Sequence, residues 1–272
     1  MRPMRKLRAV VLGFIVVCAS THAFAAEPPA LVKARALYNA GDYEGAIDAA
    51  AVARRQPQAA DAASLVIARA HLERYRQSAA PADLIAAREA LGSVRSASLV
   101  PRDQLDLIVG LGQALYLGEV FGAAAELFDA ALDRSPLLVA RERVLLLDWW
   151  ATALDREAQT RSFDRRPSVY ERIAERMERE LREDPGNATA NYWLAVAARG
   201  AGDLDRAWSA AIAAWVRSTL DRDQTDKLRA DIDRLVSQAL IPERARTRQT
   251  RDAQEAVDVL RAEWELVKQH WK

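Results

Sequence analysis

Residues 37–53, LYNAGDYEGAIDAAAVA, place a Gly-Asp-Tyr turn between two runs of helix-forming residues. Nearly the same string returns twice, as YLGEVFGAAAELFDAAL from Tyr116 and ARGAGDLDRAWSAAIAA from Ala198. Gly41 can take the positive φ that a tight turn needs, and Asp42 can accept a backbone N–H at the start of the next helix. Aligning Gly41, Glu119 and Gly202 puts Ala46, Ala124 and Ala207 five positions later, and Ala53, Ala131 and Ala214 seven beyond those. Small residues at that spacing share one face of the second helix, so a neighbouring helix must pass close to it. On the first helix, Ala34, Gly112 and Ala195 hold the matching point of approach. The string therefore encodes two helices that cross closely across a short turn, written three times.

The rest of the chain agrees. Prolines punctuate it at 28, 29, 57, 81, 101, 136, 167, 185 and 242, and the apolar residues between them recur at helical spacing. Tyr170, Ile173, Ala174, Met177 and Leu181 form one such stripe. Alternating strand-like runs are not evident, and Ala, Leu, Arg and Glu dominate, so the fold class is all-α. Helices are expected near 29–40, 44–56, 59–77, 82–97, 101–118, 122–134, 137–158, 168–183, 188–200, 204–218, 225–241 and 250–271. The short connections favour antiparallel neighbours. Longer polar connections are expected at 159–167 and 242–249.

At 105–136 the sequence resembles the tetratricopeptide repeat family, a 34-residue helical hairpin. Leu111, Gly112, Leu115, Ala124, Phe128, Ala131 and Pro136 fall on the family's preferred positions. Residues 28–57 and 189–217 carry the same pattern. The chain departs from the family where its early Trp is replaced by Ala30, Ile108 and Asn191, and where the repeat alanines stand 78 and 83 residues apart. The resemblance implies an α-solenoid of about six antiparallel hairpins over 26–272, each burying its apolar face against the next. Residues 225–271 would be a capping hairpin. Leu228, Ile232, Leu235, Val236 and Leu240 make one stripe of it, and Ala256, Val257, Leu260, Trp264, Val267 and Trp271 the other. The run VLLLDWWATAL, 144–154, is apolar nearly all round and is expected at the centre.

The first 25 residues read as a cleavable export signal. Arg2, Arg5, Lys6 and Arg8 precede an apolar run at 9–19 that is too short to span a bilayer, and Ala23-Phe24-Ala25 offers a cleavage site. An uncleaved anchor and an acylated Cys18 are the alternatives; Val17 is bulkier than the residue usual before a lipidated cysteine. A periplasmic or secreted location follows. The whole chain has 39 basic and 38 acidic side chains, and the signal holds four of the former and none of the latter, so the remainder is near −3. That balance does not suit nucleic acid. Cys18 is the single cysteine and leaves with the signal, which excludes a disulfide, a thiolate nucleophile and a Cys-ligated metal from the mature chain. No later apolar stretch is long enough to span a membrane.

No catalytic or cofactor constellation stands out. His71 and His270 are the mature histidines, and no pair of ligands has metal spacing. GLGQAL at 110–115 lacks the third glycine and the preceding strand of a dinucleotide fingerprint, so Gly112 reads as a packing residue. ERIAERMERELRED reads as a solvated charged face carrying Glu175–Arg179 and Glu178–Arg182 pairs. The arginines of 161–166 and 244–251 read as solvated loop residues, and Asn187-Ala-Thr189 as a helix start. No catalytic, cofactor or metal residue is assigned.

In the family that this chain resembles, partners often lie on the first helix of each hairpin. The matching positions are Leu31, Arg35, Tyr38 and Asn39, then Asp106, Val109, Gln113 and Tyr116, then Tyr192, Val196 and Arg199. Tyr, Arg and amide side chains suit a peptide. The Lys and Asn pattern that clamps a free C-terminus in some members is missing. The sequence thus points to an exported scaffold that binds another protein or peptide and catalyses nothing. Two alternatives remain: a small-ligand or glycan binder using Trp149, Trp150, Trp193, Trp208, Trp215, Trp264 and Trp271, and a helical enzyme using carboxylates alone.

Overall fold

The computed structural model describes residues 27–220, 225–247 and 253–271, and every regular element among them is helical. The signal-like stretch, Cys18 and His22 lie outside the described residues. In chain order the helices are α1 (Pro29–Asn39), α2 (Tyr43–Ala53), α3 (Ala60–Ser78), α4 (Pro81–Gly92), α5 (Pro101–Leu117), α6 (Phe121–Leu132) and α7 (Ala140–Thr160). There follow α8 (Arg166–Glu183), α9 (Ala188–Gly200), α10 (Leu204–Ser218), α11 (Thr225–Leu235), α12 (Ile241–Thr247) and α13 (Ala253–His270). Local chemistry sets their starts. Pro29, Pro81 and Pro101 open α1, α4 and α5, where a missing N–H costs nothing. The side chains of Asp42, Asn187 and Asp203 each accept a backbone N–H three residues on, from Gly45, Ala190 and Arg206.

The three aligned turns share one backbone conformation. Gly41 has φ +80°, Gly202 +87° and Glu119 +62°. The third copy keeps the left-handed turn although it lacks the glycine and has Val120 in place of the capping Asp. Glu119→Gly is therefore expected to raise the unfolding free energy by about 0.5–1 kcal/mol, because an L side chain strains this region by roughly 1–2 kcal/mol and the freer unfolded chain returns part of it. The urea midpoint checks this; a lowered midpoint would contradict it. Past each turn, Ala46, Ala124, Ala207, Ala53, Ala131 and Ala214 have no exposed surface. At the crossing of α5 and α6 a Cβ on Gly112 would stand 2.5 Å from Phe128 Cε1, so glycine is required for the close approach.

Helices pack on their chain neighbours, α1 on α2, α2 on α3, and so on through α9 on α10. Alternate helices also touch: α1 on α3, α3 on α5, α7 on α9 and α9 on α11. The arrangement is solenoid-like, with three overlapping apolar clusters instead of one core. The first runs from α1 to α5, the second from α5 to α9 and the third from α9 to α13. Leu146, Leu147, Trp150, Ala151 and Leu154 of α7 are buried in the middle cluster.

Four expectations are corrected. Residues 242–247 form α12, not an exposed connection, while 248 and 249 lie outside the described residues. A π-turn at Val236–Leu240 joins α11 to α12, and its widened coil lets the helix run past Pro242, which cannot donate to the turn before it. The final unit is thus not a simple hairpin. The connection at 159–167 shrinks to a 3₁₀ turn at Phe163–Arg165 between α7 and α8. Arg161 pairs with Glu157, and Arg166 donates to the Arg161 carbonyl. Trp271 leaves the buried stripe with its ring half exposed; its carbonyl holds the C-terminal end by accepting from Trp215 Nε1 and Arg229 Nη2, each at 3.0 Å.

The polar side of α8 is not a solvated face. Arg176 and Glu180 are buried and meet as an i,i+4 pair at 3.2 Å. Arg143 of α7 grips Glu180 with Nε and Nη2 at 2.9 and 2.8 Å. Arg176 reaches Asp129 of α6 at 2.7 Å, and Arg172 reaches Glu126 and Asp129 at 2.6 and 2.9 Å. Glu178 pairs with Arg206 of α10 and not with Arg182. Glu171, Glu175, Arg179, Arg182, Glu183 and Asp184 are exposed and answer to the solvated reading.

Candidate functional site

Residues of α3, α5 and α7 border an open cavity of about 330 Å³. Its apolar walls are Leu105 and Val109 of α5, Leu145, Leu146 and Trp149 of α7, and Leu138 just before α7. Arg69, Glu73 and Arg76 stand on α3 at helical i, i+4 and i+7 positions and so share one face toward the cavity. Arg102, Asp106 and Gln113 complete the lining from α5, and Glu142 from α7.

Ion pairs hold these walls together. Arg69 Nη1 donates to Asp106 Oδ2 at 2.6 Å, joining α3 to α5. Arg102 contacts Asp106 at 3.2 Å on its own helix, and its Nη1 reaches Glu142 of α7 at 2.7 Å. The Arg102 guanidinium, with the Val139 N–H, holds the Glu142 carboxyl below the ordinary range. In turn the hydrogen bond to Glu142 raises Arg102 further. Some contacts skip a helix. The Arg76 guanidinium of α3 lies 5.4 Å from the centre of the Trp149 ring on α7, and Arg35 of α1 donates through Nη1 and Nη2 to Asp103 of α5 at 3.0 and 2.8 Å. Trp149 is wedged edge-on against Tyr116 at 5.0 Å and at a tilt against Phe128 at 5.9 Å, so α5 and α6 fix its position.

Of the residues singled out from the sequence, Asp106, Val109 and Gln113 line this cavity, and Tyr116 backs its Trp149 wall. Tyr38 supports it indirectly: its ring lies 4.6 Å beneath the Arg69 guanidinium, and burial pushes its hydroxyl pKa up. Arg35 is taken by Asp103, and Asn39 is exposed at the end of α1. Leu31 is a correction: only 2 % exposed, it packs into the first apolar cluster and offers nothing to a partner. Tyr192, Val196 and Arg199 sit on α9 and do not line the cavity. Arg199 is bound to Glu243 of α12 at 2.7 Å. Tyr192 is half-buried against Trp193, and burial followed by the charges of Asp231, Asp148 and Asp155 pushes its hydroxyl up to about 12. Asp148 of α7 accepts from Trp193 Nε1 at 2.8 Å, and burial raises its carboxyl.

Sequence reasoning missed Arg69, Arg76, Arg102, Glu142 and Leu145, and named Trp149 only for the glycan-binding alternative. The first two lie in a helix pair without the repeated turn string. The Arg69, Glu73, Arg76 spacing on α3 was the available signal.

Other candidate chemistry resolves into packing. His71 Nδ1 sits 2.7 Å from the buried Asp83 carboxylate, which Arg74 shares at 3.3 Å, tying α3 to α4. His270 is exposed and contacts the Leu266 carbonyl. Arg244 lies over the Trp208 ring at 4.9 Å and pairs with Asp205. Trp150, Trp193, Trp208, Trp215 and Trp264 are buried, and the last three form edge-on contacts. Among the described residues no group of His, Cys, Asp and Glu is arranged to hold a metal ion, and no helix is long and apolar enough to cross a membrane. Comparison with protein-family models, with curated proteins and with solved structures gives no match.

Proposed function

We propose that the chain is an exported, non-catalytic adaptor that holds a segment of a partner protein in the cavity between α3, α5 and α7. The observation that carries this reading is that cavity: apolar walls with one exposed leucine and one half-buried tryptophan, rimmed by charged groups on three separate helices. Such a surface offers contact area at its centre and polar selection at its edge, as interaction sites do. The scaffold reading adds that the helix pairs are repeats of a tetratricopeptide-like solenoid with the cavity on its inner side. It is supported by the three turns at positive φ and by the fully buried alanines behind them. Export is supported by the basic, apolar and small-residue order of the first 25 residues. The burial of five of the seven tryptophans favours packing over a glycan platform.

Leu145 is 42 % exposed on the cavity wall, so Leu145→Trp fills the space without emptying the core. In affinity capture from the native cell envelope, the wild type is expected to recover a partner that Leu145→Trp recovers at roughly a tenth of the yield or less. The two proteins should melt alike. Equal recovery of every protein by both would remove the reading.

A further inference from the structure

The three arginines and three carboxylates of the cavity cancel in number, yet they are not equally presented. The side chain of Asp106 is 10 % exposed beneath Arg69 at 29 %; Glu73 is 19 % exposed beside Arg76 at 44 %. Glu142 and Arg102 are closer, at 36 % and 41 %. Each carboxylate oxygen is also engaged by an arginine of the cavity. Asp106 gives one oxygen to Arg69 and the other to Arg102. Glu142 gives both to Arg102, and Glu73 gives both to Arg76 Nη1 at 3.0 and 2.8 Å. A guanidinium has five donors, so Arg76 keeps Nε and Nη2 for another acceptor. An incoming chain therefore meets cations around an apolar floor.

The spacing limits what fits. Arg69 and Arg76 are seven residues apart on α3, about 10 Å along its axis. A helix about 10 Å across would have to push the Arg76 guanidinium off its seat over the Trp149 ring of α7. An extended chain is slimmer. Its residues i, i+2 and i+4 face the same way over about 13 Å, a span that flexible arginine stems can meet. A free C-terminal carboxylate would engage one end of this row and leave the other idle.

We infer that the cavity takes an extended partner segment in which one bulky apolar side chain is flanked, two positions away on each side, by an acidic residue. The apolar side chain enters between Val109, Leu145 and Trp149, one acid meets Arg76, and the other meets Arg69 and Arg102. This rests on the reading of the cavity as a partner site.

Fluorescence anisotropy with labelled, amidated nonapeptides tests it. One peptide is centred on Glu-Ser-Leu-Ser-Glu, and controls replace both Glu by Lys or by Gln. At low salt the Glu peptide is expected to bind at least about ten-fold more tightly than the Lys peptide, with the Gln peptide between them. Arg76→Gln should shrink that difference by roughly three-fold or more. Among the described residues Arg76 has Glu73 of its own helix and Trp149 as partners, so this variant strips the cation from a single, partly exposed carboxylate and from no other charge. The Glu peptide with a free C-terminus should bind no better than the amide. Equal binding of the Lys peptide, a preference for the free terminus, or no binding of the Glu peptide up to about 1 mM would overturn the inference. A photo-crosslinking residue at position 145 separates the two failures. If it traps an envelope protein that Gln113→Trp no longer yields while the peptides fail, the acidic preference falls and the partner site stands; if it traps none, both fall.

Discussion

Glu180→Ala is expected to lower the unfolding free energy by about 3–5 kcal/mol, the range for removing one partner of a buried ion pair. Glu180 is 4 % exposed and accepts from two arginines on two helices, Arg143 of α7 and Arg176 of α8. Deleting its carboxylate takes the shared acceptor from a buried Arg176 and a partly buried Arg143. Arg176 is itself 6 % exposed and keeps Asp129 and Asp133. Arg143 keeps the Leu132 carbonyl at 3.1 Å and a distant Glu183 at 3.9 Å. The penalty should therefore fall mainly on Arg143 and on the seam between α7 and α8. Glu175→Ala, on the exposed side of the same helix, should stay within about 0.5 kcal/mol. Urea unfolding followed by circular dichroism measures both. A loss below about 1 kcal/mol at Glu180 would mean that apolar packing alone fixes α8 on α7.

Phe128→Ala should be as costly, at about 3–5 kcal/mol, through a different mechanism. The ring has no exposed surface and is packed against the Gly112 backbone on one side and Trp149 on another. Alanine leaves a cavity at a crossing already built for closeness, where α5 and α6 have little freedom to collapse. The effect extends to the candidate site, because Trp149 loses one of the two aromatic neighbours that position it. Adding Gly112→Leu to Phe128→Ala should recover part of the loss, since the new side chain enters the vacated space. The double mutant less stable than Phe128→Ala alone would show that the two sites do not share that volume.

The helices were legible in the sequence because their signals are local. Pro29, Pro81 and Pro101 open helices, Asp42, Asn187 and Asp203 cap them, and the aligned alanines mark buried faces. Pro242 misled because proline ends most helices, and nothing local announces a π-turn that lets one continue. The burial of Arg176 and Glu180 was illegible for a related reason: along one helix, a charged row facing solvent and a charged row facing oppositely charged helices read alike. The candidate site was only partly visible. Asp106, Val109 and Gln113 came from the positions that match the repeat family, whereas Arg76 and Trp149 meet only because α3 and α7 approach each other across α5.

Helices α5 and α9 each serve two apolar clusters. Leu107 and Ala114 of α5 face the first and Leu105 the second, while Ala190 and Trp193 of α9 face the second and Ala195 and Ala198 the third. No third of the chain can melt without stripping one side of a helix that its neighbour still needs. Loss of order at either end is thus resisted at two fixed stations, and fraying is expected to pause there before it spreads inward.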